Sequence, residues 1–194
     1  MTGSSPLDSA APDPRDRLAD ANRAYVEHFD GVDAAKRPNA HVFVLTCMDA
    51  RIDPLRLLGL GLGEAHVMRN AGGRVSDDAV RSLVLSSTLL GTRHVLVIHH
   101  TDCGLGSTSD DELRDQLRER GIDVGNLWTG AFGDLERSVL DDVETLRSHP
   151  LVGGRVTVTG HIYDVHTGRL QPVGADSGVE ADADDGADRD DATG

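Results

Sequence analysis

Apolar positions along this chain follow two rhythms that alternate, one of helical period and one of short, β-branched runs. Leu18, Ala21, Ala24, Tyr25, His28 and Phe29 recur at helical spacing and predict an amphipathic helix from Asp16 to near Gly31. A strand follows over His41 to Thr46, and Pro54 then turns the chain into a short helix carrying Leu55, Leu57, Leu58 and Leu60, which Gly59, Gly61 and Gly63 bring to an end. The run Ala65 to Arg69 reads as a second strand, ending in Asn70-Ala71-Gly72-Gly73, where glycines let backbone come close to a neighbour. Val80, Leu83, Val84, Ser87 and Leu90 form the apolar stripe of a helix over Asp77 to Leu90, with Asp77 and Asp78 at its positive N-terminal end. The third strand, Val95 to His99, reads as buried on both faces. Helices over Ser109 to Arg120 and Gly133 to Ser148 come next. Two further strands, Arg155 to Tyr163 and Arg169 to Val173, are joined by the turn His166-Thr167-Gly168.

Strands separated by helical patterns imply right-handed βαβ units and an α/β fold: a doubly wound, mostly parallel sheet with an antiparallel C-terminal edge, flanked by helices. In that winding the first and third strands are neighbours, and ligands bind in the crevice beyond their C-terminal ends. The chain divides into a polar arm over 1–14, one domain over 15–173 and an acidic tail over 174–194. The N-terminal helix has no crossover partner. It serves either to cap the domain's own core or to lie on a neighbouring subunit.

Charge narrows the function. Formal net charge is −14, and the tail from Gly174 contains eight acidic residues against one arginine. A surface of this sign lacks the positive footprint that nucleic acids require and is repelled by acidic membranes. Lys36 is the single lysine and Asp far outnumbers Glu, a bias that fits a salt-adapted or a GC-rich source equally. No run approaches the roughly 20 apolar residues of a membrane span. The first residues show neither the basic nor the apolar region of a secretory signal, so the expected location is the cytoplasm. In that reducing setting two cysteines are metal ligands or reactive thiols before they are a disulfide.

Those two cysteines, Cys47 and Cys103, both stand at the C-terminal ends of strands predicted to be neighbours. His100 precedes Cys103 at His-x-x-Cys spacing, so an imidazole at the strand end and a thiolate in the next turn can reach one ion. Two thiolates and an imidazole select zinc over magnesium or calcium, and three protein ligands leave a fourth place open, as in catalytic zinc sites. Zinc so held lowers the pKa of a bound water toward about 7. Asp49 and Arg51 fit as an orienting pair, the guanidinium gripping the carboxylate through two bonds; if the pocket closes, Asp49 can instead take the fourth position. The plainer alternatives are buried apolar cysteines and an exposed ion pair. His99 reads either as a satisfied neighbour of the ligand or as a helper in proton transfer. His28, His41, His66, His94, His149, His161 and His166 read as surface or packing residues.

Cys47-Met48-Asp49-Ala50-Arg51, Arg69-Asn70-Ala71-Gly72 and His100-Thr101-Asp102-Cys103-Gly104 together resemble the three signature blocks of the β-class carbonic anhydrases, in the short bacterial branch. The resemblance covers about residues 18 to 173. It implies one Zn2+ per subunit held by Cys47, His100 and Cys103, with Asp49 and Arg51 as a catalytic dyad. It also implies reversible hydration of carbon dioxide to bicarbonate and a proton, with the Gly104 backbone N–H holding an oxygen of the product. A homodimer or higher homo-oligomer, with the N-terminal helix across the partner, comes with it. His99 departs from the glycine usual before the ligand histidine. Hydrolysis of carbonyl sulfide or carbon disulfide, a non-catalytic zinc or bicarbonate-binding role, and dithiol redox chemistry are the rival functions.

Overall fold

The computed structural model describes residues 13–174. Except for Asp13, Pro14 and Gly174, the predicted N-terminal arm and acidic tail therefore lie outside the described residues. The chain separates into a unit ending at Ala35 and a larger one from Lys36 onward.

The first unit holds helix α1, Pro14–Glu27, and a 3-10 turn at Gly31–Asp33. The helix begins two residues earlier than the apolar spacing predicts. Its start is set instead by polar chemistry: the Asp13 carboxylate caps it by accepting from the Arg15 N–H at 2.9 Å, with Pro14 in the first turn, where a missing N–H costs nothing. Leu18, Tyr25, Val26 and Phe29 are exposed, with the Tyr25 and Phe29 rings 5.5 Å apart.

The second unit runs β1 (Val42–Cys47), α2 (Pro54–Leu58), β2 (Ala65–Asn70), α3 (Asp77–Leu89), β3 (His94–His100), α4 (Asp110–Glu119), α5 (Leu135–Ser148), β4 (Thr157–Tyr163) and β5 (Leu170–Val173). Every strand and helix predicted for this unit is present, with ends moved by a residue or two, whereas α1 stops at Glu27, short of the end predicted near Gly31. Caps account for several of the shifts. Asp134 accepts from the Arg137 N–H at 2.8 Å and starts α5 at Leu135, and Ser109 with Glu112 forms a reciprocal capping box at α4.

The five strands lie in the order β2-β1-β3-β4-β5, parallel except for the last pair. The chain passes from β1 outward to β2, then returns to place β3 on the other side of β1, so the order reverses between β1 and β3. Val42 pairs with His94 and Thr46 with Ile98, which brings the C-terminal ends of these strands together. Phe43, Leu45, Val95, Val97 and Val158 on the sheet pack with Leu83 of α3 and Val139, Val143 and Leu146 of α5. Val44 and Ile98 are also fully buried, as expected for central strands of a parallel sheet. Gly160 in β4 makes room for α5, since a Cβ there would stand 2.5 Å from a Val139 methyl. Among the described residues no helix is long and apolar enough to cross a membrane.

Candidate metal centre

Alternation along β3 separates its two terminal histidines. His99 shares a face with Val95 and Val97 and reaches α5, while His100 turns the other way. The His100 ring is held by its Nδ1–H, which donates to the Thr101 carbonyl at 2.9 Å; Thr101 N–H is itself bonded to the Tyr163 carbonyl at the end of β4. That bond fixes the tautomer and leaves the Nε2 lone pair aimed inward. His100 Nε2 is buried with no hydrogen-bond partner. It lies with the sulfurs of Cys47 and Cys103 in a group whose atoms are all within 4.8 Å of one another. A buried nitrogen without a partner, facing two thiols, is the arrangement a thiophilic cation satisfies.

The thiols are poised unequally. Hydrogen bonding from Cys103 overcomes burial and, helped by His100, brings the Cys47 pKa down to about 4. The Cys103 thiol, which keeps the shared proton beside a thiolate and is itself buried, is pushed far up. Burial lowers His100, but the Cys47 thiolate outweighs it and the net shift is upward.

Asp49 and Arg51 meet in the loop after β1. The Arg51 Nε–H and Nη2–H donate to the two carboxylate oxygens of Asp49 at 2.9 and 2.7 Å, and the Arg51 backbone N–H adds a third bond at 2.9 Å. These side-chain bonds first, and then the backbone bond, hold the Asp49 carboxyl far below its usual range. Asp49 Oδ2 stands 3.9 Å from His100 Nε2. Gly104 is exposed just beyond Cys103, with nothing within 4 Å of where a Cβ would project.

Two further residues support this loop, and only the role of Arg69 was not assigned from the sequence. Arg69, at the end of β2, donates to the Cys47 carbonyl at 3.0 Å and to the Asp49 carbonyl at 2.6 Å, fixing the loop from outside. Gly73 has φ +70°, and a Cβ there would lie 2.8 Å from the Cys47 nitrogen. The close backbone approach predicted for this turn is therefore present.

Behind His100 lies a buried polar network. His99 has no exposed surface; its Nδ1 is 2.8 Å from Ser138 Oγ and its Nε2 is 3.2 Å from Asp142 Oδ2. Asp142 accepts from Arg74 Nε–H at 2.7 Å and Nη2–H at 3.1 Å, and from the Val75 N–H at 3.3 Å. His99 is thus a fixed internal strut. Its ring, without exposed surface and packed among Ser138, Asp142 and Phe132, fits the satisfied-neighbour reading of His99 better than a role in proton transfer. Asp142 carried a signal in the sequence: it sits on the apolar stripe of Val139, Val143 and Leu146, where a lone carboxylate needs a buried partner.

The carbonic anhydrase family model matches residues 42–124, a span that includes all three sequence blocks. Beta-carbonic anhydrase 1 of Mycobacterium tuberculosis is 38% identical over 137 residues, covering 70% of this chain and 83% of that protein. A carbon disulfide hydrolase of Acidithiobacillus thiooxidans is 36% identical over 154 residues, covering 69% of this chain and 77% of its own. Among solved structures, the carbonic anhydrase from Streptococcus mutans superposes with a TM-score of 0.80 at 41% identity, covering 84% of this chain and 99% of that one. Sheet order, cysteine–histidine cluster and these likenesses agree, and the chain belongs to the β-carbonic anhydrase family.

Proposed function

We propose that this protein is a zinc enzyme catalysing the reversible hydration of carbon dioxide to bicarbonate and a proton. The observation that carries the reading is the orphaned His100 Nε2 facing the Cys47 and Cys103 sulfurs at the C-terminal ends of β1 and β3. Cys47, His100 and Cys103 would hold the ion, one per chain. When bound, zinc supplies Lewis acidity that makes hydroxide available near neutral pH.

The residues around it do the rest. Asp49, kept ionised by Arg51, accepts a hydrogen bond from the nucleophile and so aims a lone pair at the substrate. Arg51 holds that carboxylate in one orientation. The Gly104 N–H stabilises the negative oxygen of bicarbonate as it forms. A cavity of about 420 Å³ lined by His100, Cys103, Phe132 and Leu135 gives a small linear molecule room beside two of the candidate ligands. The exposed apolar residues of α1 and the position of β2 as an edge strand, where Val67 is also exposed, support a homodimer or larger assembly. A reducing cytoplasm would keep both thiols free for metal.

The 36% identity to a carbon disulfide hydrolase, close to that of the M. tuberculosis carbonic anhydrase, favours one second reading: hydrolysis of carbon disulfide or carbonyl sulfide by the same groups. Stopped-flow CO2 hydration on zinc-loaded protein, with Cys47→Ala as blank and sulfide release followed in parallel, decides. Hydration lost in the variant supports the carbonic anhydrase reading. Sulfide release without hydration replaces it with the hydrolase.

A further inference from the structure

Asp102 stands between the candidate ligands His100 and Cys103 in the chain, yet its carboxylate is paired with Arg51. Its backbone has φ +55°, a left-handed conformation that Asp and Asn tolerate better than other non-glycine residues. This twist turns the Asp102 carboxylate toward Arg51. The Arg51 Nη1–H donates to Asp102 Oδ2 at 2.7 Å, and its Nη2–H donates to the Asp102 carbonyl at 2.9 Å. The guanidinium is therefore gripped on two sides, by Asp49 from its own loop and by Asp102 from the loop after β3.

We propose that Asp102 is a positioning residue: by anchoring Arg51 across the crevice, it keeps Asp49 beside the fourth metal position and prevents it from occupying that position. The inference rests on the zinc reading above. The Arg51 side chain is 42% exposed, and an exposed arginine paired only with a residue two positions away is weakly fixed. Released, it would let the Asp49 carboxylate swing. That carboxylate is already 3.9 Å from His100 Nε2, so only a small movement separates orienting the nucleophile from displacing it. Asp102 supplies an anchor from a different strand end, which the short Asp49–Arg51 loop lacks.

The test uses full-length protein loaded with Co2+, whose visible absorption reports the ligands at the metal, titrated with thiocyanate at one fixed pH. Asp102→Gly removes the carboxylate and suits the left-handed backbone; Asp102→Asn keeps an acceptor as the conservative variant. Asp102→Gly should weaken apparent thiocyanate affinity about three- to five-fold, the range expected for losing an exposed ion pair, because Asp49 now competes for the site. Asp102→Asn should fall between it and the unaltered protein. In an Asp49→Ala background, Asp102→Gly should have no weakening effect, since the competitor is gone.

Simple electrostatics predicts the opposite sign: deleting a nearby negative charge should tighten anion binding. Unchanged or tighter binding in Asp102→Gly, or the same weakening without Asp49, would overturn the proposal. So would a thiocyanate-insensitive spectrum in the unaltered protein, which would place Asp49 at the metal already. CO2 hydration by the unaltered protein, measured alongside, separates the two ideas: its absence sinks the carbonic anhydrase reading, while normal hydration with unchanged anion affinity in Asp102→Gly sinks only the role of Asp102.

Discussion

Replacing Asp142 by alanine should destabilise the fold more than any surface change of equal size. Its carboxylate is 5% exposed and accepts three hydrogen bonds from Arg74 and Val75, with His99 Nε2 at 3.2 Å. Arg74 is itself only 13% exposed, so the variant strands a guanidinium where water reaches poorly. Removing one partner of a buried pair costs about 3–5 kcal/mol. For a domain of this size each kcal/mol lowers Tm by about 2–4 °C, giving a drop of about 10 °C. The assay is urea unfolding at matched protein and free-zinc concentrations, because metal and self-association both add to apparent stability.

The pH dependence supplies a second check. Burial raises the Asp142 carboxyl, but His99 and Arg74 more than offset it and the pKa lies below the ordinary 3.8. A depressed carboxyl contributes its stability fully above the unfolded value and loses it as pH falls through the folded one. The gap between parent and Asp142→Ala should therefore stay constant from neutrality down to about pH 4 and close only below that. A loss under about 1 kcal/mol at neutral pH would show that the network contributes no more than an exposed pair, refuting the account.

Gly73→Ala would set a Cβ 2.8 Å from backbone atoms of Thr46 and Cys47 at φ +70°, so we expect loss of bound zinc together with a fall in stability of about 3 kcal/mol; parent-like zinc content and Tm would contradict this. Gly160→Ala would press on Val139 and Val143 and should cost about 1–3 kcal/mol in denaturant unfolding, and an unchanged midpoint would mean that α5 shifts freely. Zinc must displace the proton that Cys103 retains and, toward the acid end, one from His100, whose pKa is raised, so affinity should rise at least tenfold per pH unit between roughly pH 6 and 8 in chelator competition, and a pH-independent affinity would contradict this.

The parts of this molecule that were legible in the sequence are those encoded locally. Val42 to Cys47 and His94 to His100 announce themselves as buried strands, and the handedness of βαβ connections then makes them neighbours, so convergence of Cys47 with His100 and Cys103 followed from topology. Asp49 and Arg51 were legible because their partnership spans two residues. The pairing of Arg74 with Asp142 was not, because 68 positions separate them: the stripe position of Asp142 asks for a buried partner, but only α5 laid on the sheet identifies it as Arg74. Asp102 was visible as a motif letter, but its grip on Arg51 depends on a left-handed backbone that no hydropathy pattern encodes. The two histidines ending β3 show the same limit: spacing favoured His100 as ligand, while the enclosure of His99 needed α5 in place.

Cys47 and Cys103 are brought together only by the β1–β3 pairing, with β2 and α3 intervening in the chain. A nascent or misthreaded polypeptide can offer zinc one sulfur at a time, and such isolated thiols hold it weakly. Long-range parallel pairing is among the slower events of folding, so capture of an ion at this site would come late and would work as a topological checkpoint. Stoichiometric metal in a purified sample would then certify that the strands were wound in the right order, and a zinc-poor fraction would contain the chains that were not.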